Sequence, residues 1–242
     1  MALSFNGAHP DGAPSLVQRA VDAVNAHIVE HRLKVGDTLP GEGHFAEALG
    51  VSRAVMREAF GALAALRLID VGNGRKPRVG AIDGAVMGAS MSHAVTTQQA
   101  TVSDVWDVRR TLELRTAALA ATHRSDEEAA IIAAHVDAME QAMGDLPQMV
   151  RHDIAFHQAI ARASGNVLFH QIVRSFAPMM EIAVPAAWHT RTAQDELQTM
   201  IARHRAIADE IAAGDEQGAT AAMDAHFDGS IGAILRRSDD RG

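Results

Sequence analysis

The sequence predicts a mainly α-helical protein in two parts. A compact N-terminal module of helices closed by a β-hairpin is followed by an all-α antiparallel helical bundle. Three observations carry this reading. Leu39 to Val79 reads helix, tight turn, helix, then a hairpin with a basic tip. Beyond about residue 100, strand signals vanish and apolar residues recur at helical spacing. Between the two, Gly80 to Ala100 is rich in Gly, Ala, Ser, Thr and Gln with Asp83 as its single charge, the composition of a hinge, with a short helix expected around Val86 to His93. The expected organisation is a disordered tail over 1–14, the N-terminal module over 15–80, a linker over 81–101, the bundle over 102–236 and a tail over 237–242.

Composition limits the function classes. Hydrophobic residues at 48% and charged residues at 21% describe a globular chain, not a disordered one. Zero cysteines exclude disulfides and thiolate metal sites and fit a reducing cytoplasm. The longest uncharged stretch, Gly84 to Ser103, is too polar to span a membrane. The first fourteen residues lack the basic start and apolar run of a secretion signal. Net charge is −8, but it is unevenly placed: Ser15 to Gly80 carries +2 and Ala81 to Gly242 carries −9. A mildly basic N-terminal third on an acidic body suits a small nucleic-acid reader attached to a regulatory domain.

The elements of the N-terminal third follow from local chemistry. Leu16, Ala20, Val24 and Ile28, with Val17 and Val21, give the first helix an apolar face over Ser15 to Val29. Gly36, Asp37 and Pro40 mark a loop. A short helix over Glu42 to Leu49 stops at Gly50, where a left-handed residue costs little in glycine. Ser52 caps a third helix running to Ala65, and Val55, Phe60, Leu63 and Leu66 are expected to pack it onto the first. Leu68 to Val71 and Arg78 to Ala81 are strand-like, joined by the turn residues Gly72, Asn73 and Gly74. This is the layout of a winged helix-turn-helix, a module that reads duplex DNA.

The third helix is the candidate recognition helix. Arg53 and Arg57 share a face, and an arginine near such a helix start can fork onto guanine O6 and N7 or clamp a phosphate. Arg75, Lys76 and Arg78 at the hairpin suit minor-groove or backbone contact. Ser52, Arg53, Arg57, Gly74, Arg75, Lys76 and Arg78 are therefore the expected DNA-contacting set. The alternative is a set of solvated arginines on a protein-binding winged helix.

In the bundle, helices are expected at about 102–122, 126–143, 148–164, 166–184, 192–213 and 215–236. Breaks fall at Ser125, Gly144 to Pro147, Gly165-Asn166, Pro185 to Thr190 and Gly214, with a capping box from Ser125 to Glu128. The inward row of the first bundle helix reads Val105, Arg109, Leu112, Thr116, Leu119. Arg109 in that row needs either a carboxylate of the fold or a bound anion. Asp153 and His157 share the inner face of a later helix, and His204 and His226 sit on the apolar stripes of two more. One carboxylate oxygen and three imidazole nitrogens suit zinc first, with nickel, manganese or iron as alternatives. A histidine taken singly is more often a satisfied core residue, as the placement of His135 at the edge of an apolar stripe illustrates, so the metal reading depends on convergence.

The N-terminal motifs resemble the GntR family of bacterial repressors. The stretches LPGE, FAEALGVSR, VMREAF and GNGRKPRV match its LPSE, G-V-S-R, V-R-E-A-L and basic-wing signature over about sixty-five residues. The resemblance implies DNA contacts by Arg53, Arg57, Gly74 and Arg75. It departs at Gly43, where family members often carry an arginine. Residues 102–235 resemble the FCD effector domain of the FadR-type subfamily, through VRRTLE at Val108 to Glu113, HQAIARASGN, and the order Asp153, His157, His204, His226. That likeness implies a divalent metal held by those four residues, an anion-binding role for Arg109, and small carboxylate effectors such as sugar acids, hydroxy acids or dicarboxylates.

These observations together lead to the expectation of a cytoplasmic, homodimeric, metabolite-responsive transcriptional regulator without enzymatic activity. It would repress a catabolic operon from a palindromic double-stranded operator whose half-sites lie one helical turn apart. One alternative is a metal-dependent hydrolase or lyase domain fused to a DNA-binding head. Another is a purely structural metal, with regulation through protein contact.

Overall fold

A computed structural model describes residues 14–72, 74–182 and 194–239. Residues 1–13 of the tail expected over 1–14, the turn residue Asn73, the break from Pro185 to Thr190 and residues 240–242 lie outside the described residues. The chain divides into two compact units, Met1–Val86 and Met87–Gly242. As predicted, it is mainly helical.

In the first unit, α1 (Leu16–Glu30) starts where the Ser15 hydroxyl accepts the Gln18 N–H at 3.1 Å. It buries Ala20 and Val24 against α3. Helix α2 (Glu42–Leu49) ends at Gly50, which is left-handed at φ 64°, ψ 32°. Only three residues separate it from α3 (Arg53–Ala65), whose first turn is closed by Ser52 accepting from the Val55 N–H. Met56, Ala59, Phe60 and Leu63 form the buried face of α3. The expected Val55 is only half-buried, and Leu66 is 54% exposed because it caps the helix end. The hairpin is shorter than predicted. β1 (Ile69–Asp70) pairs antiparallel with β2 (Arg78–Val79), and Thr38 bridges to Arg78 from the far side. Gly80 lies so close to the Arg67 carbonyl that any Cβ there would stand 2.2 Å from its oxygen. This residue fixes the way the wing returns to the body.

The segment read as a hinge contains α4 (Gly84–Thr96), a thirteen-residue helix. Its Gly88 packs on the Ser175 carbonyl, where a side chain would collide at 2.8 Å. In the second unit the helices are α5 (Val102–His123), α6 (Asp126–Gln141), α7 (Leu146–Ala163), α8 (Val167–Ser175), α9 (Gln194–Ala213) and α10 (Glu216–Asp239). Helical backbone resumes over 177–182 after a turn at Phe176, so the single helix expected from 166 is broken there. The last helix extends into the stretch expected as a tail over 237–242, as far as Asp239.

Capping boxes at Thr101–Asp104 and Ser125–Glu128 start α5 and α6. Helix α5 packs against α7, α9 and α10, and α6 against α7 and α9. Phe156, Phe176 and Phe227 fill the centre. No helix among the described residues is long and apolar enough to cross a membrane.

Candidate metal centre and DNA-contacting face

The buried ionisable side chains among the described residues of the bundle meet in one cluster. Asp153 and His157 lie one turn apart on α7, His204 is on α9 and His226 on α10, and all four are buried. The imidazoles of His157, His204 and His226 each offer a nitrogen, and these atoms lie within 4.8 Å of one another. The rings of His204 and His226 are 4.4 Å apart between centroids, and those of His157 and His226 5.1 Å. His135 lies elsewhere, with its Nδ1 3.4 Å from that of His152.

Hydrogen bonds fix which nitrogens face the cluster. His204 Nδ1 is 2.8 Å from the Met200 carbonyl oxygen, so Nδ1–H donates there and Nε2 is turned inward. Nε2 lies 3.1 Å from Asp153 Oδ1. Two lone pairs face each other at that distance unless a proton or a cation stands between them. Burial raises the Asp153 pKa, but the His204 hydrogen bond and the charges of His157, His204 and Arg109 outweigh it, so the carboxyl is held below its ordinary range. Two donors side by side on an ion with bonds of about 2.1 Å stand roughly 3.0–3.4 Å apart, from octahedral to tetrahedral angles. The donor set and its spacing fit a divalent metal of the zinc type.

A further residue, Glu113, completes the arrangement. Its Oε1 accepts from Arg109 Nε at 2.5 Å, and its Oε2 meets His157 Nδ1. Burial pushes the Glu113 carboxyl up, yet Arg109 and His157 bring it down to about 2. An ionised Glu113 keeps the His157 proton on Nδ1 and leaves Nε2 for the cluster. Sequence reading credited the R-x-x-L-E stretch to Arg109 alone. The spacing of Arg109 and Glu113, one turn apart on an apolar stripe, was the available signal. The buried face of α5 is also rotated from the expected row: Leu112 and Leu119 are half-buried, whereas Glu113, Ala117 and Ala120 are buried. Arg109 therefore has a carboxylate of the fold as a partner, one of the two options its burial required. Its guanidinium also lies over the rings of Trp106 (5.0 Å) and Phe227 (5.6 Å).

In the first unit the DNA-reading candidates are exposed on α3 and the wing. Arg53 and Arg57 project from the first two turns of α3. Arg57 Nε is 3.7 Å from Glu42, an exposed pair that holds it weakly. The Cβ of any residue at 43 would lie 3.8 Å from the Arg53 guanidinium, so Gly43 leaves that side of Arg53 open. Gly74 is left-handed at φ 70°, which turns the wing tip, and Arg75 and Lys76 are exposed beside it. Arg78 differs, because its Nη1 donates to the Gly36 carbonyl at 2.6 Å and ties the wing to the preceding loop.

The chain matches the description "Bacterial regulatory proteins, gntR family" over residues 16–79 and "FCD domain" over residues 104–229. It is 31% identical over 164 residues to the Glc operon transcriptional activator of Escherichia coli (strain K12). That match covers 66% of this chain and 65% of the relative's length. It is 29% identical over 200 residues to the HTH-type transcriptional regulator LutR of Bacillus subtilis (strain 168), covering 81% of this chain and 90% of that protein. Among solved structures, Streptococcus agalactiae GntR superposes with a TM-score of 0.65 at 25% identity, over 92% of this chain and 99% of that one. These relatives are named as regulators, not enzymes, so the hydrolase or lyase alternative receives no support.

Proposed function

Because this chain belongs to the gntR family of bacterial regulatory proteins and carries an FCD domain, we propose that it is a DNA-binding transcriptional regulator whose helical unit senses a small carboxylate through a divalent metal. The observation that carries the sensor reading is the meeting of His157, His204 and His226, from three separate helices, within 4.8 Å in the bundle interior. With Asp153 beside His204, these residues would hold the ion by His157 Nε2, His204 Nε2, a His226 nitrogen and an Asp153 oxygen. The bound metal supplies a Lewis-acid anchor for a ligand carboxylate.

Each protein group then has a defined task. Glu113 orients His157, and Arg109 keeps Glu113 ionised while offering its outer N–H groups to an anion. Ser52, Arg53, Arg57, Gly74, Arg75, Lys76 and Arg78 form the DNA-contacting set, with Arg78 also holding the wing. The protein acts as a homodimer in the cytoplasm on a two-fold-related operator. An acid that prefers one state of the bundle by roughly 1–3 kcal/mol is sufficient for a 5- to 150-fold change in DNA affinity.

The test uses an operator selected in vitro from random duplexes by the zinc-loaded full chain. Gel-shift affinity is then measured with L-lactate, D-gluconate and succinate, one member of each acid class. A saturable change with at least one acid supports the reading, and its sign separates repression relieved by ligand from activation. If no acid changes DNA affinity, and none binds, the sensor reading fails.

A further inference from the structure

Resting on the sensor reading above, we infer that Trp106 is a ligand-binding residue: its indole N–H and the outer N–H groups of Arg109 together grip the effector's carboxylate, in the position now taken by the Met180 sulfur. Trp106 is only 4% exposed, and its Nε1 is fully buried with no hydrogen-bond partner among the described residues. An indole can only donate, so its one polar atom has lost water without replacement. Buried donors of this kind are rare in native proteins and call for an explanation.

A second unmet demand lies beside it. Arg109, 3% exposed, spends Nε on Glu113, while its Nη1 faces the Met180 thioether and its plane lies over two aromatic rings. A thioether is a weak acceptor for a guanidinium N–H, so Nη1 of this buried cation faces a poor partner where a carboxylate oxygen would serve it far better. The Arg109 carbon is 5.0 Å from the Trp106 ring centroid, so the indole N–H and the guanidinium donors are within reach of a single small anion.

The location ties this pair to the metal centre. The Phe227 ring is 5.9 Å from Trp106 and packs at 5.6 Å against His226 and 6.3 Å against His157. An acid bridging from the metal ligands to Arg109 would therefore pass along the Phe227 face. Met180 is unbranched with three rotatable bonds, the kind of side chain that yields to an incoming ligand. A carboxylate in its place would give Arg109 Nη1 a strong acceptor and offer its second oxygen to the Trp106 N–H.

The test exploits the sequence's two tryptophans, Trp106 and Trp188. In Trp188→Phe the only indole emission comes from Trp106. Addition of L-lactate, D-gluconate or succinate to this zinc-loaded variant is expected to shift the emission to the red as the buried N–H gains an acceptor. Trp106→Phe keeps an aromatic ring and removes the donor. Calorimetry should show its acid binding weakened by about tenfold or more, at unchanged zinc per chain and unchanged thermal unfolding without acid. A red shift together with that loss supports the inference. If the parent protein binds an acid while Trp106→Phe binds it equally well, Trp106 is no ligand residue and the sensor reading stands. If zinc content or ligand-free unfolding falls in Trp106→Phe, the absence of a red shift in Trp188→Phe on acid binding overturns the inference independently. If the parent binds none of the three acids, both are overturned.

Discussion

On α5, Arg109 donates to Glu113 one turn away at 2.5 Å, with both side chains sealed inside the bundle. Through its other oxygen, Glu113 meets His157 on α7. One carboxylate thus joins the candidate anion-binding arginine to a candidate metal ligand. Outer partners of metal-ligating histidines are worth about 10–100-fold in metal affinity, and breaking a buried ion pair costs about 3–5 kcal/mol. Glu113→Gln presents at most one acceptor to two donors. It is expected to weaken zinc binding by about tenfold or more in a chelator competition, and to lower the melting temperature. Unchanged zinc affinity would mean that Glu113 does not orient His157.

His157→Ala and His204→Ala should each lower the zinc content of the purified chain. His204 is completely buried, so its truncation also leaves a cavity and costs stability in the bundle. DNA affinity of the metal-free protein should change little, because α3 and the wing belong to the other compact unit. Plasma mass spectrometry and gel shift measure both properties on one preparation. A variant that keeps full zinc removes that residue from the site.

Arg53→Ala is expected to cost roughly 1–3 kcal/mol of operator affinity, whereas Lys76→Ala should weaken binding evenly across sequences and reduce the salt slope by about one. Gly43 allows a gain-of-function test at the same place. It lies within α2, where a Cβ would make ordinary contact with the Arg53 guanidinium at 3.8 Å. Gly43→Arg should raise stability by about 0.5–1 kcal/mol through helix propensity and steepen the salt dependence of DNA binding. A salt slope identical to that of the parent would place residue 43 away from the phosphates.

Acid sensitivity is expected from a histidine pair outside the cluster. Burial and the neighbouring His152 both lower the His135 pKa from its ordinary value near 6.5. Above that value both the folded and unfolded states hold it neutral. Below it, the unfolded chain takes up the proton first, so stability falls as the pH drops from about 6.5 toward the lowered folded value. Urea unfolding at pH 7.5 and 5.5 should show a smaller acid loss in His152→Gln than in the parent. An equal loss would show that the pair is not responsible.

The sequence made the helices and their caps legible because each is locally encoded: Ser15, Ser52 and Ser125 cap, Gly50 stops α2, and Thr101 with Asp104 closes a box that went unread. The order Asp153, His157, His204, His226 was legible as spacing, but the distances between α7, α9 and α10 are set by packing and are not written in any one segment. Glu113 was hidden because the apolar row of α5 was read one residue away from its true centre, through Leu112. Trp106 was hidden for a different reason. An aromatic on a buried face is ordinary core by pattern, and only the absence of an acceptor for its N–H among the described residues distinguishes it.

The most direct test of the central claim is the equilibrium metal stoichiometry of the full chain, measured by calorimetry with zinc at pH 7.5 and repeated in acid, where protons compete with the metal for imidazole nitrogen. One ion per chain at pH 7.5, largely released in acid and absent from His157→Ala, is the predicted result. No saturable zinc binding at pH 7.5, or full occupancy unchanged in acid, would contradict the account.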